Sequence, residues 1–339
     1  MRFCFRADAS DVIGFGHFVR CHALATVLQL RGHEIVFFSA QLPPYLNQLL
    51  ACSEMKSVRL NSAHDAQEAL SNIDIYTDWL VVDHYELDIV WEKTMRTKCR
   101  RVLVLEDQPN RAHDCDLLLD QNLSVQSENQ YVNLVPSQAQ CLLGPQWAVL
   151  RPEFSSLRGS SLGRRSSPTL DNLLIFMGGG SVESEVLIAL EGALASRWGF
   201  NRIDVVLGQP PLPHSPLGIR LGQISSTRLH VQTQNMANLM AEADLAITAG
   251  GSVSWEKCCL GLPSIVVALS DNQKPVLNAL DAIGAVRAVC AEGSLTPDCY
   301  ASVLNNLNTA GLSTLSRIAA GLCSGLGAKL VANELVKNL

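Results

Sequence analysis

A short apolar strand, a glycine-rich or polar loop and an amphipathic helix follow one another repeatedly along this chain. Such an alternation is typical of a parallel α/β sheet, because a helix must carry the chain back before the next parallel strand can begin. The strand-like runs fall in two groups, at residues 3–7, 34–39, 79–83, 101–105 and 116–119, and at 172–177, 203–207, 246–248 and 264–269. The two groups predict two Rossmann-like domains.

The length of 339 residues also favours two domains, because a single core usually stops growing at about 250–300 residues. Residues 155–171 are rich in Ser, Gly and Arg without an apolar period, which predicts a linker between domains at 1–154 and 172–339. The apolar period that begins at Leu326 predicts a terminal helix, a candidate to pack back on the first domain. Two such domains, with parallel sheets facing a central cleft, form the GT-B arrangement, where ligands bind outside the carboxyl ends of the strands.

The composition disfavours several classes of protein. A net charge of −6 without a basic helix gives no general attraction to nucleic acid. The eleven cysteines form no C-x-x-C pair, which favours reduced thiols in the cytoplasm over disulfides or zinc. The N-terminus lacks an export signal, and no apolar run approaches the roughly 20 residues of a membrane span. We expect a cytoplasmic monomer with a small-molecule partner.

The first motif is Gly14-Phe15-Gly16-His17, which lies between the first strand and a helix. A glycine turn at a helix start presents free backbone N–H groups and the positive end of the helix dipole, so it favours an anion. The third glycine of a dinucleotide fingerprint is missing, which disfavours NAD. A histidine here is either a solvated neighbour of the helix cap or a general base, since its ordinary pKa is near 6.5.

The second motif is Gly250-Gly251-Ser252, again between a strand and a helix. Glycines let the backbone approach a diphosphate closely. Glu256 lies one turn into the helix, where it either accepts hydrogen bonds from ribose hydroxyls or serves as a helix-terminal charge. After the next strand, Asn272 and Gln273 form either a turn or a ligand contact.

Polar residues also end three other strands. Asp83-His84-Tyr85 and Asp120-Gln121-Asn122 are placed either to bind a sugar or to cap the turn that follows the strand. The glycine run at 178–180 follows the first strand of the second domain and is positioned to face a ligand.

Taken together, these motifs resemble the UDP-sugar hydrolases of pseudaminic acid biosynthesis, which act on a UDP-linked diacetamido-trideoxy hexose and are GT-B relatives of the lipid II-forming N-acetylglucosaminyltransferase. The resemblance spans nearly the whole chain. The matching segments are Phe5-Arg6-Ala7-Asp8, residues 14–21, Val82-Asp83-His84-Tyr85, residues 120–123, Leu143-Gly144-Pro145, residues 150–154, Gly250-Gly251-Ser252, Trp255-Glu256 and Asn272-Gln273.

The resemblance assigns His17 as the catalytic base and implies neither a metal nor a cofactor. It implies that the residues binding the UDP-sugar are Gly14, Gly16, Arg20, Tyr85, Gly179, Gly250, Gly251, Ser252, Glu256, Asn272 and Gln273. One departure concerns the sugar, because Gly180-Ser181-Val182-Glu183-Ser184 stands where the family has an Asp followed by an Asn.

The expected activity is therefore inverting attack of water on the anomeric carbon, which releases the free sugar and UDP. Two alternatives stay open from the sequence. One is a GT-B glycosyltransferase with a sugar acceptor in place of water, and the other is a non-catalytic nucleotide-sugar binding protein.

Overall fold

The structure is a computed structural model that describes residues 1–10, 13–62, 64–73, 76–123, 129–178, 182–289 and 294–337. The chain forms two compact units. Unit 1 comprises Met1–Arg151 and the C-terminal stretch that begins at Leu326, and unit 2 comprises Pro152–Gly325.

In the described part of unit 1, seven strands form one parallel sheet in the order β3-β2-β1-β4-β5-β6-β7. The strands are β1 Arg2–Ala7, β2 Glu34–Ser39, β3 Lys56–Arg59, β4 Thr77–Asp83, β5 Cys99–Leu105, β6 Leu117–Asp120 and β7 Gln140–Leu143. The helices between them are α1 Gly16–Gln29, α2 Pro44–Cys52, α3 Ala66–Ser71 and α4 Ile89–Met95, with a 3-10 turn at Pro145–Trp147.

In the described part of unit 2, six strands form a second parallel sheet in the order β10-β9-β8-β11-β12-β13. The strands are β8 Asn172–Phe176, β9 Arg202–Leu207, β10 Thr227–Val231, β11 Leu245–Ala249, β12 Ser264–Val267 and β13 Arg287–Ala288. The helices are α5 Pro152–Arg165, α6 Glu183–Ala195, α7 Pro216–Gln223, α8 Met236–Glu242, α9 Val253–Leu260, α10 Lys274–Ala282, α11 Pro297–Asn305 and α12 Thr309–Leu322, with a 3-10 turn at Asp271–Gln273.

Both sheets reverse their strand order beside their first strand, between β1 and β4 and between β8 and β11. Alternate side chains of β1 pack into two different apolar clusters. Phe3 and Phe5 belong to one cluster and Cys4 belongs to the other, so both faces of the sheet of unit 1 are covered. Parallel sheets buried in this way bind ligands at the carboxyl ends of the strands beside the reversal. The predicted fold class of two α/β domains with parallel sheets is confirmed.

The predicted linker at 155–171 is wrong for most of its length, because Pro152–Arg165 is helix α5 and belongs to unit 2. Hydrogen bonds from polar side chains attach α5 to unit 2, which is why the helix lacks the apolar periodicity that would have predicted it. The Arg158 guanidinium donates to the carbonyls of Ala320 and Cys323 at 2.8 and 2.9 Å, and the buried Ser161 hydroxyl donates to the carbonyl of Leu260 at 2.8 Å.

The chain ends in helix α13, Gly327–Lys337, which lies in unit 1. Its residues Val331 and Leu335 are fully buried in the apolar cluster of that unit. The indole Nε1 of Trp79 on β4 donates to the carbonyl of Leu335 at 2.9 Å. The helix therefore completes the core of unit 1 with residues distant in sequence.

Helices α12 and α13 together form the one described stretch, Thr309–Lys337, that is long and apolar enough to cross a membrane. In the structure the stretch is broken at residues 323–326, and 56% of its most apolar window is buried. Core helices of globular proteins pass the same test of length and composition.

Leu335→Ala should lower the free energy of unfolding of unit 1 by about 2–5 kcal/mol, because it removes a fully buried side chain and leaves a cavity. Leu330→Ala on the same helix, where the side chain is 37% exposed, is the matched control and should cost less than about 1 kcal/mol. Chemical denaturation followed by tryptophan fluorescence measures both. Equal losses in the two variants would contradict the assignment of α13 to the core.

Candidate functional site

The first candidate site lies in unit 1, at the carboxyl ends of β1, β4 and β5. After β1 the chain turns at Gly14, whose φ of 82° lies in the left-handed region that favours glycine. The Gly14 amide donates to the carbonyl of Ser10 at 2.8 Å. Helix α1 then begins at Gly16, so His17 lies in its first turn, as the sequence predicted.

The buried carboxylate of Asp83, the last residue of β4, organises this site. Its Oδ1 lies 2.5 Å from His17 Nδ1, and Arg20 donates to both oxygens, from Nε at 2.6 Å and from a terminal nitrogen at 2.7 Å. Burial alone would raise the pKa of Asp83, but the charges and hydrogen bonds of Arg20 and His17 hold it well below its usual range. Asp83 is therefore ionised at neutral pH.

The contact with Asp83 fixes the orientation of the His17 ring. A carboxylate accepts hydrogen bonds only, so Nδ1 is the protonated nitrogen that faces Asp83. Nε2 then carries the lone pair of the neutral ring, and it has no hydrogen-bond partner among the residues that the structure describes. The Tyr85 ring meets the imidazole edge to face, with the ring centroids 4.4 Å apart. This arrangement orients one nitrogen to accept a proton.

Asp107, two residues beyond β5, joins the same site. Arg20 donates to its Oδ1 at 2.8 Å, Asn122 donates to Oδ1 at 3.2 Å, and the Tyr85 hydroxyl donates to Oδ2 at 3.3 Å. Burial alone would raise the pKa of Asp107, but Arg20 lowers it, whereas burial and the charge of Asp107 raise the pKa of Tyr85. Sequence reasoning missed Asp107, although the rule that polar residues follow apolar strands would have found it.

The other polar residues at strand ends divide between structural and site roles. His84 Nε2 lies 3.2 Å from the buried Asp8 carboxylate, and Gln121 accepts from the Val149 amide at 3.2 Å. Asp120 accepts from the Tyr131 hydroxyl at 2.9 Å, and burial raises its pKa to about 6. Of the predicted triplet at 120–122, Asn122 is the residue that reaches the site, through Asp107.

The second candidate site lies in unit 2, where β11 leads through Gly250-Gly251-Ser252 into α9. Gly251 has a φ of 109°, and a Cβ atom there would have no neighbour within 4 Å. The Ser252 side chain makes no capping hydrogen bond. The amides of Ser254 and Trp255 donate to the carbonyls of Gly251 and Ser252, at 2.9 and 3.1 Å. Within the described residues, the amides of Gly251, Ser252 and Val253 have no acceptor and are available to a ligand. An exposed glycine turn before a helix start is the geometry that holds a phosphate.

The remaining predicted residues of unit 2 lie around this turn. Glu256 is half-buried in the first turn of α9. A Cβ atom on Gly250 would approach the Gln273 side chain to 3.1 Å, and Gln273 Oε1 accepts from the Leu269 amide at 3.0 Å. Asn272 precedes it in the 3-10 turn. The structure thus brings Gly250 and Gln273 together, and the predicted Gly179 lies outside the described residues.

Sequence reasoning also missed Lys257, which is 1% exposed on α9. Its ammonium donates to the Thr248 hydroxyl on β11, and no ion pair to it occurs within the described ranges. Burial lowers the pKa of Lys257 to about 8. No periodicity signals such a residue, because a lysine beside Glu256 at a helix start is typical of an exposed position.

No protein-family model matches the chain. It is 26% identical over 281 residues to an uncharacterized protein of Methanocaldococcus jannaschii, a match covering 81% of this chain and 57% of that protein. It is 22% identical over 285 residues to the UDP-2,4-diacetamido-2,4,6-trideoxy-beta-L-altropyranose hydrolase of Campylobacter jejuni, covering 81% and 94%. A third match, 26% identical, covers 46% of this chain and 45% of the spore coat polysaccharide biosynthesis protein SpsG of Bacillus subtilis. The chain thus spans about half the length of the first and third of these relatives.

Solved structures resemble the whole chain. MurG of Acinetobacter baumannii matches with a TM-score of 0.69 at 16% identity over 99% of both chains. The UDP-GlcNAc 2-epimerase of Neisseria meningitidis, solved with bound UDP-GlcNAc, matches with a TM-score of 0.64 at 15% identity over 100% of both chains. The chain therefore has the GT-B fold and is a distant homologue of a UDP-sugar hydrolase.

The pKa of Asp83 predicts an acid dependence of stability. Because its pKa is lower in the folded chain than the ordinary value near 3.9, the ion pair stabilises the fold above about pH 4 and the stabilisation is lost as the pH falls. When the pH falls from 5 to 3, the free energy of unfolding of Asp83→Asn should decrease by about 1 kcal/mol less than that of the wild type. Asp88→Asn is the control, because its exposed side chain caps α4 and asparagine caps equally well. Identical pH slopes for Asp83→Asn and the wild type, measured by urea unfolding, would contradict the ionised state.

Proposed function

We propose that this protein hydrolyses a UDP-linked diacetamido-trideoxy hexose to the free sugar and UDP. The product would enter the biosynthesis of pseudaminic or another nonulosonic acid, and the reaction would take place in the cytoplasm. The observation that carries the proposal is the hydrogen bond of 2.5 Å between Asp83 and His17, since it makes His17 a general base of defined orientation. A merely structural histidine would not need its second ring nitrogen left without a partner in the part of the chain that the structure describes.

In this mechanism His17 Nε2 takes a proton from a water molecule, and the water oxygen attacks the anomeric carbon. A bond forms between that oxygen and the carbon while the bond from the carbon to the UDP oxygen breaks, and the electron pair leaves with UDP. The configuration at the carbon inverts. The negative charge of Asp83 stabilises the imidazolium that forms on His17, so the fixed carboxylate assists the proton transfer.

We assign UDP to the turn at Gly250–Ser252 and the start of α9 in unit 2. The amides of Gly251, Ser252 and Val253 would hold the diphosphate. Glu256 would accept hydrogen bonds from the ribose hydroxyls, and Asn272 and Gln273 would lie near the sugar. Stabilisation of the departing phosphate by these dipoles is the second contribution to catalysis. Gly14, Gly16, Arg20 and Tyr85 are proposed to bind the sugar end of the substrate.

The named activity of the Campylobacter relative supports hydrolysis, at 22% identity over nearly its full length. A glycosyltransferase is the second candidate, because the calicheamicin glycosyltransferase CalG4 shares the fold over 99% of this chain with a TM-score of 0.62, and the same base could activate an acceptor hydroxyl. Purified protein should release UDP from the UDP-sugar without any acceptor. Release that depends on an added acceptor would favour the transferase, and binding without release in either case would favour a non-catalytic protein.

His17→Ala should lower turnover by roughly 10²–10⁴, the usual contribution of a positioned acid or base, and change the affinity for UDP little. The matched control is His22→Asn on the same helix, where burial lowers the pKa of the histidine to about 4 and Nε2 lies 3.3 Å from the Ser53 hydroxyl. Turnover of His17→Ala near that of the wild type would remove His17 from the mechanism.

Glu256→Ala should weaken the binding of UDP and of the UDP-sugar alike, by roughly 1.5–3 kcal/mol, because it removes charge-assisted hydrogen bonds to the ribose. Glu242→Ala, at the exposed end of α8 in the same unit, should leave the affinity unchanged. Isothermal titration calorimetry measures both. An unchanged UDP affinity in Glu256→Ala would mean that Glu256 serves only as a helix-terminal charge.

A further inference from the structure

A second network of buried charges lies directly behind the loop that carries Asp107. The His113 ring bridges two carboxylates, with Nδ1 at 2.6 Å from Glu92 on α4 and Nε2 at 3.0 Å from Glu106 at the end of β5. All three side chains are at most 2% exposed. Glu92 also accepts from the Asp114 amide at 2.6 Å, which fixes the far end of the network.

His113 in this network is a cation. Burial alone would lower its pKa, but the hydrogen bonds and charges of Glu106 and Glu92 raise it to about 9. Both ring nitrogens therefore carry protons and donate at neutral pH. Arg111, which lies 2.7 Å from Glu106, supplies a second cation, so two positive and two negative groups face one another.

The Glu106 side chain connects the buried network to the loop that carries Asp107. Its Oε1 accepts from the backbone amides of Asp107 and Gln108, at 2.8 and 3.0 Å. Both amides lie beyond the end of β5, so the Glu106 carboxylate takes the place of a neighbouring strand as their acceptor. The His113 ring holds the other oxygen of the same carboxylate.

The network also reaches the loop after β4. Arg111 donates to the carbonyl of His84 at 2.9 Å, and His84 lies between Asp83 and Tyr85. Two of the groups around His17, Tyr85 and Asp107, therefore lie on two loops that Arg111 and Glu106 support.

We propose that His113 is a positioning residue for the reaction: by holding Glu106 it fixes the backbone of Asp107, and thereby the contacts of Asp107 with Arg20 and Tyr85 beside His17. This inference rests on the proposed function for its effect on turnover. His113 touches none of the reacting groups, and its influence passes through Asp107. A displacement of about 1 Å in such a site can lower turnover by as much as 10²-fold.

A double-mutant cycle tests the route of this influence. His113→Gln should lower kcat by about 10- to 100-fold and change KM by less than about threefold, because the site is misaligned while UDP binding in unit 2 is untouched. In an Asp107→Asn background, the same change should lower kcat by less than about twofold, since the contact through which His113 acts is already weakened. If His113→Gln lowers kcat by the same factor in the Asp107→Asn background as in the wild type, the proposal is overturned.

A second measurement does not depend on activity. Hydrogen exchange of the intact protein should show faster exchange of the Asp107 and Gln108 amides in His113→Gln than in the wild type. Unchanged exchange there would overturn the proposal even if kcat falls. If the wild type releases no UDP from any UDP-sugar, the proposed function fails, and the exchange experiment still decides whether His113 holds this loop.

Two further variants distinguish a loss of positioning from a general folding defect in His113→Gln. Glu106→Asp retains the buried charge but is shorter by one methylene group, so it cannot reach both His113 and the two amides, and it should reproduce the loss of kcat if His113→Gln does not fold. His230→Gln is the matched control, because His230 pairs with Asp204 at 2.8 Å in unit 2. It should keep the kcat of the wild type, and a loss equal to that of His113→Gln would overturn the positioning role.

Discussion

The contact of Asp83 with His17 and Arg20 is the interaction on which the site of unit 1 depends. The carboxylate stands at the end of β4, the strand that pairs with β1 where the order of the sheet reverses. From this position it orients the imidazole, and it neutralises the buried guanidinium that also holds Asp107. Removal of Asp83 would leave a buried cation with one of its two carboxylates, which is a large cost in an apolar surrounding.

The two units present different chemical groups at their candidate sites. Unit 1 collects charged side chains at its strand ends, with the carboxylates of Asp83 and Asp107 around Arg20 and His17. Unit 2 instead offers backbone amides at the exposed turn of Gly251, and the buried Lys257 lies on helix α9, which follows this turn. In the proposed hydrolysis, His17 of unit 1 would act as the base at the sugar and the amides of unit 2 would hold the leaving diphosphate.

The sequence predicted the inner strands of both sheets but none of the four at the sheet edges. Inner strands are covered on both faces and read as continuous apolar runs, as in β1 and β11. The edge strands β3, β7, β10 and β13 pair on one side only and contain exposed polar residues, as in Lys56–Arg59, so their pattern resembles a loop. Helix α5 escaped prediction for a related reason, since arginine side chains rather than an apolar stripe attach it to unit 2.

Local motifs correctly predicted that His17 and Gly250–Ser252 lie where a strand leads into a helix, because a glycine turn before a helix is recognisable in the sequence. The strand-end rule singles out Asp83 and would also have found Asp107, but it does not predict their contacts with His17 and Arg20. Asp83 and Asp107 lie 66 and 90 residues further along the chain, and only the pairing of β4 with β1 and β5 brings them to Arg20 and His17. The Glu92–His113–Glu106 network is more remote still, since none of its members belongs to a motif.

The most direct test of the account is which bond of the substrate breaks. In ¹⁸O-labelled water, attack on the anomeric carbon places the label on the sugar and leaves UDP with its original oxygens. The phosphate oxygens of UDP do not exchange with water on this timescale, so mass spectrometry of the released UDP gives a clear reading. We expect unlabelled UDP, identical to that formed in ordinary water. One ¹⁸O atom in the terminal phosphate of UDP would show attack on phosphorus and contradict the role assigned to His17.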